Sequence, residues 1–171
     1  MSVADDTRTS LAAAAALLAP AHQAVGDRVL HAVDDPGAYV RAHAGALADR
    51  GIDAPVPDLA WIALIDALAD HRLLAELDWK EDSAEIRSQL RGLDSRPSVD
   101  PWVLFEEGDM RLPTHEFLET CGRHYREVGG ALVVLDIESD CYPVVGLRAA
   151  RVEELTALAA RAGFTARPLG G

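Results

Sequence analysis

Ala131-Leu132-Val133-Val134-Leu135-Asp136-Ile137, then Glu138-Ser139-Asp140-Cys141, then Tyr142-Pro143-Val144-Val145-Gly146-Leu147: the reading of these residues decides the fold. The first run is short, apolar and rich in Val and Leu, which predicts a buried strand over 131–137. The last run predicts a second strand over 142–147, and the polar residues between them predict a tight hairpin turn. Just upstream, Gly129-Gly130 stops a helix that Pro113 or Thr114 opens. Its apolar stripe is Phe117, Leu118, Cys121, Tyr125 and Val128. Just downstream, Val152, Leu155, Ala159 and Ala162 mark another helix, Gly163 caps it, and residues 164–167 form a short closing strand.

Further out, Leu73, Ala75, Leu77 and Trp79 alternate with Leu74, Glu76 and Asp78. That period of two predicts a strand over 73–79. Asp82 caps a short helix with Glu85 at its third position and Ile86 and Leu90 on its core face. Residues 92–112 are a long link. Residues 1–70 read as helical: Ser10–Ala19 ended by Pro20, a weak helix over 27–33, one from Asp35-Pro36 to Gly51, and one from Asp58 to about Asp70. In the last, Trp61, Leu64, Ile65 and Leu68 share a face, with Asp66 and Asp70 turned away.

From residue 72 the order is strand, helix, link, helix, strand, strand, helix, strand. This predicts an α+β fold with a four-stranded antiparallel sheet of split β-α-β (ferredoxin-like) type, strand one central against strand three. The same elements in another strand order are the rival. The helices of this region cover one face. An N-terminal helical region, residues 1–56, packs on the main domain, residues 57–171, and covers the other. That second cover accounts for Leu74, Leu132, Val134, Val145 and Leu147 being apolar as well.

A length of 171 residues suits one domain with a helical extension. Asp and Glu number 28 against 16 Lys and Arg, a net charge of −12. That argues against a nucleic-acid coat and an anionic membrane surface, and suits a basic protein partner. No apolar run reaches the roughly 20 residues of a spanning helix. Leu11–Pro20 mimics a secretory apolar region, but Asp5, Asp6 and Arg8 leave its approach net negative. Cys121 and Cys141 are too few for a disulfide scaffold, so a reduced, cytoplasmic setting is expected.

Two groups of residues invite a function. In a split β-α-β sheet, Asp78, Asp82, Asp136, Glu138 and Asp140 would meet at one sheet edge. Clustered carboxylates can hold Mg²⁺ or Ca²⁺ or raise one another's pKa, giving a metal-dependent hydrolase as the alternative function. The plainer reading makes them a helix cap, turn residues and solvated strand ends. In the link, Trp102 and Phe105 stand beside Glu106, Glu107 and Asp109, the composition of an aromatic anchor with an acidic rim, or of a plug into the chain's own core. The histidines make no zinc pattern, Cys121 reads as a small core hydrophobe, and no phosphate-cradling glycine loop occurs. The preferred expectation is therefore a non-enzymatic, acidic interaction or regulatory protein without a cofactor, toxin neutralisation being one such role.

Leu73 to Asp82, containing Leu77-Asp78-Trp79-Lys80-Glu81-Asp82, and Leu135 to Val145, containing Ser139-Asp140-Cys141-Tyr142-Pro143, resemble an uncharacterised bacterial domain family with an aspartate-tryptophan-lysine stretch and a later aspartate-tyrosine pair. The resemblance covers roughly residues 57–169. It implies a soluble bacterial protein and carries no activity.

Overall fold

The hairpin forms where the sequence places it. In the computed structural model, which describes residues 2–171, β2 is Gly130–Asp136 and β3 is Cys141–Arg148. Val133 pairs with Val145 and Val134 with Val144. The turn is held by its own side chains: Asp136 Oδ1 accepts the Glu138 N–H at 2.8 Å, and Ser139 Oγ accepts the Cys141 N–H at 3.1 Å. β1 (Leu74–Asp78) and β4 (Thr165–Pro168) complete an antiparallel sheet of order β1-β3-β2-β4.

That order departs from the ferredoxin-like arrangement. The first half holds, because β1 and β2 flank β3. The second does not: β1 is an edge strand, and β4 lies on the outer side of β2. The chain end shows what holds it there. Leu169 N–H continues the ladder to Leu132 O at 2.9 Å, and Gly170 N–H donates to Glu119 Oε2 at 2.6 Å. Glu119 belongs to α7 (Thr114–Glu127), which passes the chain end at Gly122. A Cβ on Gly122 would lie 2.3 Å from Leu169 O, so only glycine permits the approach.

Strand order also decides which face each helix covers. β1 and β2 are parallel to each other, as are β3 and β4, and the two pairs run oppositely. Both crossovers step the same way across the sheet. Right-handed crossovers then place their helices on opposite faces. The side chains agree. Leu132, Val134, Val144 and Leu77 pack with α6 (Ser83–Arg91) and α7. Ala131, Val133, Leu135 and Val145 pack with α8 (Val152–Arg161), and therefore with the N-terminal helices α1 (Val3–Leu18), α2 (Gln23–Asp34) and α5 (Leu59–Asp70). α8 thus leaves the face on which a ferredoxin-like sheet would carry it.

The helix over 35–50 is broken into α3 (Pro36–Ala42) and α4 (Ala44–Asp49). His43 leaves helical geometry at the break and stacks on Tyr39 at 4.3 Å, and Gly45, a poor helix former, follows. Asp66 and Asp70 are not simply turned to water. Asp70 pairs with Arg28 at 2.7 Å. Asp66 Oδ1 pairs with Arg50 Nη2 at 2.6 Å, and the same guanidinium donates through Nη1 to Glu76 Oε2 at 3.0 Å. Arg50 thereby ties the end of α4 to α5 and β1 with side chains that are mostly buried. Among the described residues no helix is long and apolar enough to cross a membrane.

Two expectations follow. Gly122→Ala forces β-carbon against backbone and should cost about 3 kcal/mol, the upper end for overpacking, read as a shifted denaturant midpoint. Arg50→Ala strands two partly buried carboxylates and should cost about 3 kcal/mol by the same measurement. Replacing Asp66 and Glu76 by alanine as well should recover part of that loss.

Candidate functional site

The acidic residues lie at one end of the sheet but do not meet at one point. Asp78 pairs across the ladder with Cys141, Trp79 N–H donates to Asp140 O at 2.9 Å, and Asp136 faces Thr165. With β3 between them, Asp78 and Asp136 stand two strand spacings apart, about 10 Å. Each also has local work. Asp78 Oδ1 accepts the Lys80 N–H at 3.1 Å, Asp82 Oδ1 caps α6 through the Glu85 N–H at 2.8 Å, and Asp136 holds the hairpin turn. Glu138 and Asp140 are exposed. Among the described residues no three His, Cys, Asp or Glu side chains are grouped to hold a metal ion. Cys121 is buried in the α7 layer, which pushes its thiol pKa far up and away from nucleophilic use.

The link is more ordered than its composition suggests. Two 3-10 turns, Pro101–Leu104 and Glu107–Arg111, fold it onto α7. Asp100 Oδ1 caps the first through the Trp102 N–H at 3.0 Å, and Asp109 Oδ2 accepts the Glu106 N–H at 2.9 Å at the start of the second. Trp102 is 6% exposed, so of the two readings of this loop its indole is the plug and not a free anchor. It stacks on Phe105 at 4.5 Å, with the Phe117 and Tyr125 rings each 6.3 Å away. Phe105 is half-buried, and Asp109 is spent on the turn, with His124 Nε2 3.6 Å away. Glu106 and Glu107 do face water.

What faces out beside them was missed in the sequence. Val103 is 76%, Val99 58% and Leu104 36% exposed. A signal existed: in a 3-10 turn Trp102 and Phe105, three residues apart, share the inward side, so Val103 and Leu104 between them must point away. A second omission is a cavity of about 390 Å³ beside Trp102, lined also by Arg72, Arg91, Arg96, Asp100 and Tyr125. Arg72 follows α5 while Arg91 and Arg96 lie at and after the end of α6, so no linear motif announces the three together.

A family model described as a domain of unknown function, DUF6630, matches residues 10–169, and the chain belongs to that family. The match begins inside α1, so it takes in the N-terminal helices along with the sheet, beyond the 57–169 that the motifs suggest. No curated protein and no solved structure matches the chain.

If Trp102 is the plug that holds the loop, Trp102→Ala should cost about 3–5 kcal/mol in a denaturant melt. Asp82→Ala should cost about 1 kcal/mol, the loss of a helix cap and nothing more. A larger loss at Asp82 would indicate a role beyond capping.

Proposed function

We propose that this chain is a non-enzymatic interaction protein that docks a basic protein partner on the surface formed by residues 99–107. One observation carries the reading: exposed Val99, Val103 and Leu104 sit beside the exposed carboxylates of Glu106 and Glu107, on a loop anchored from beneath by Trp102. An apolar centre with a charged rim is the usual anatomy of a protein interface. The anchoring matters energetically, because a loop already held in place loses little conformational freedom on binding. The net charge of −12 adds a long-range field that speeds encounter with a cationic partner. Relative to the expected anchor, the contact moves from Trp102 to its exposed neighbours, while the acidic rim stays. Regulation or neutralisation of a basic protein, a toxin included, is the form of function that such a surface serves. A bacterial cytoplasmic setting is part of the proposal and is supported by two cysteines that form no disulfide with each other.

The test uses the full chain as bait at low and high salt, followed by measurement with the purified captured protein. A basic protein should be retained at low salt and released at high salt. Val99→Ser with Val103→Ser should abolish binding without lowering Tm, since both side chains are mostly exposed. Glu106→Lys with Glu107→Lys should slow association more than it speeds dissociation. Binding that survives the serine pair, or substrate turnover in an unbiased metabolite screen, would overturn the proposal.

A further inference from the structure

Carboxylates outnumber cationic side chains on this chain by 28 to 16, yet only some of the arginines are closely paired. Arg8, Arg28, Arg50, Arg111 and Arg151 each hold a carboxylate oxygen at 2.9 Å or less. The cavity beside Trp102 gathers three that do not. Of its three arginines, Arg72 has Asp94 no nearer than 3.9 Å and Arg91 has Asp100 no nearer than 4.0 Å. Arg96 has no carboxylate within ion-pair distance among the described residues, and donates from Nη1 to Leu93 O at 3.0 Å. Asp100 is the one carboxylate on the cavity wall, and its Oδ1 is already taken by the Trp102 N–H.

The backbone at Arg72 is a second, independent sign. Arg72 N–H donates to Ala69 O at 3.1 Å and Leu73 N–H to Leu68 O at 2.9 Å, the Schellman pattern that ends α5. The residue at that corner must take the left-handed conformation, and Arg72 does, at φ 59°. Glycine is the unstrained choice there. What arginine adds is a guanidinium that reaches Gly92 O at 3.0 Å and lines the cavity. A third sign lies next door. An adjoining cavity of about 660 Å³ shares Arg96 and Tyr125 with the first, adds Arg148, and is lined by Ser95, whose buried Oγ has no hydrogen-bond partner.

We propose that this cleft binds a small phosphomonoester, with the phosphate held by Arg72, Arg91 and Arg96 and the organic part against Trp102 and Tyr125. Three guanidinium groups against Asp100 on the wall and Asp94 beside Arg72 leave an excess of about one positive charge, and a phosphate group carries about two negative charges near neutral pH. Its oxygens accept from the planar forks of arginine in a way that a single carboxylate cannot match for three of them. The volume is at the lower end of the roughly 300–1,000 Å³ typical of small-molecule sites, larger than a bare ion needs. None of Val99, Val103, Leu104, Glu106 and Glu107 lines the cavity, so either reading can fail alone.

Calorimetric titration of the full chain at low salt tests it, with adenosine 5′-monophosphate and glucose 6-phosphate as probes and inorganic phosphate and citrate as comparators. At least one monoester should bind saturably at one per chain, more tightly than either comparator. Arg96→Gln and Arg72→Gly should each weaken it about tenfold or more. Arg72→Gly is the sharper variant: glycine relieves the left-handed corner, so Tm without ligand should stay level or rise while binding falls. Arg41→Gln, on α3 and outside both cavities, should change nothing. Absence of saturable binding by both monoesters at millimolar concentration would overturn the proposal. So would tighter binding of citrate or inorganic phosphate, or binding unchanged in both cleft variants.

Discussion

The rest of the structure depends on the burial of β2 on both of its faces. Ala131, Leu132, Val133, Val134 and Leu135 are consecutive, apolar and almost wholly removed from water. Side chains alternate along a strand, so this run places apolar groups on both sides of the sheet at once. Fully burying a Val or Leu side chain is worth about 1.5–3 kcal/mol, and that gain is available on both faces only if each has a cover. One layer of helices therefore cannot complete this fold. α1, α2, α5 and α8 supply one cover, and α6, α7 and the Trp102 loop supply the other. The family match, over residues 10–169, spans the segments that form both covers.

This constraint gives the loop its character. Residues 92–112 carry prolines, glycine and charges, a composition that suits a solvated connection. They instead help to close the second cover, where Trp102 joins Leu132 and Val144 in one buried cluster with side chains of α6 and α7. Fixing the indole inward fixes Val103 and Leu104 outward and sets Arg91 and Arg96 along its flank. The proposed docking surface and the proposed cleft are thus both arranged around one buried side chain.

Period and punctuation made much of this legible. The alternation of 73–79, the runs at 131–137 and 142–147, and the glycines at 51, 92, 129 and 163 place the strands and most helix ends within a few residues of where they lie. Strand order was not legible, because it turns on Gly122 meeting Leu169, a contact between a helix glycine and a chain end 47 positions away. The same gap hid the sites. Five carboxylates close to one sheet end look convergent in a list, yet β3 separates Asp78 from Asp136. Arg72, Arg91 and Arg96 look unrelated in sequence, yet they share a cavity because Arg72 ends α5 and reaches the C-terminus of α6 at Gly92. Only Arg72 left a local trace, an arginine at a helix end where glycine would be unstrained.

Native-state hydrogen exchange on the full chain tests the central claim, that both covers and the sheet are one cooperative unit. The buried segments of α1 and α2 should exchange through the same opening free energy as the amides of Leu132 and Val134, and that value should equal the global unfolding free energy from denaturant. Exchange of α1 and α2 through a low-energy opening, with β2 still protected to the global limit, would show that the sheet stands without its second cover and would contradict the account.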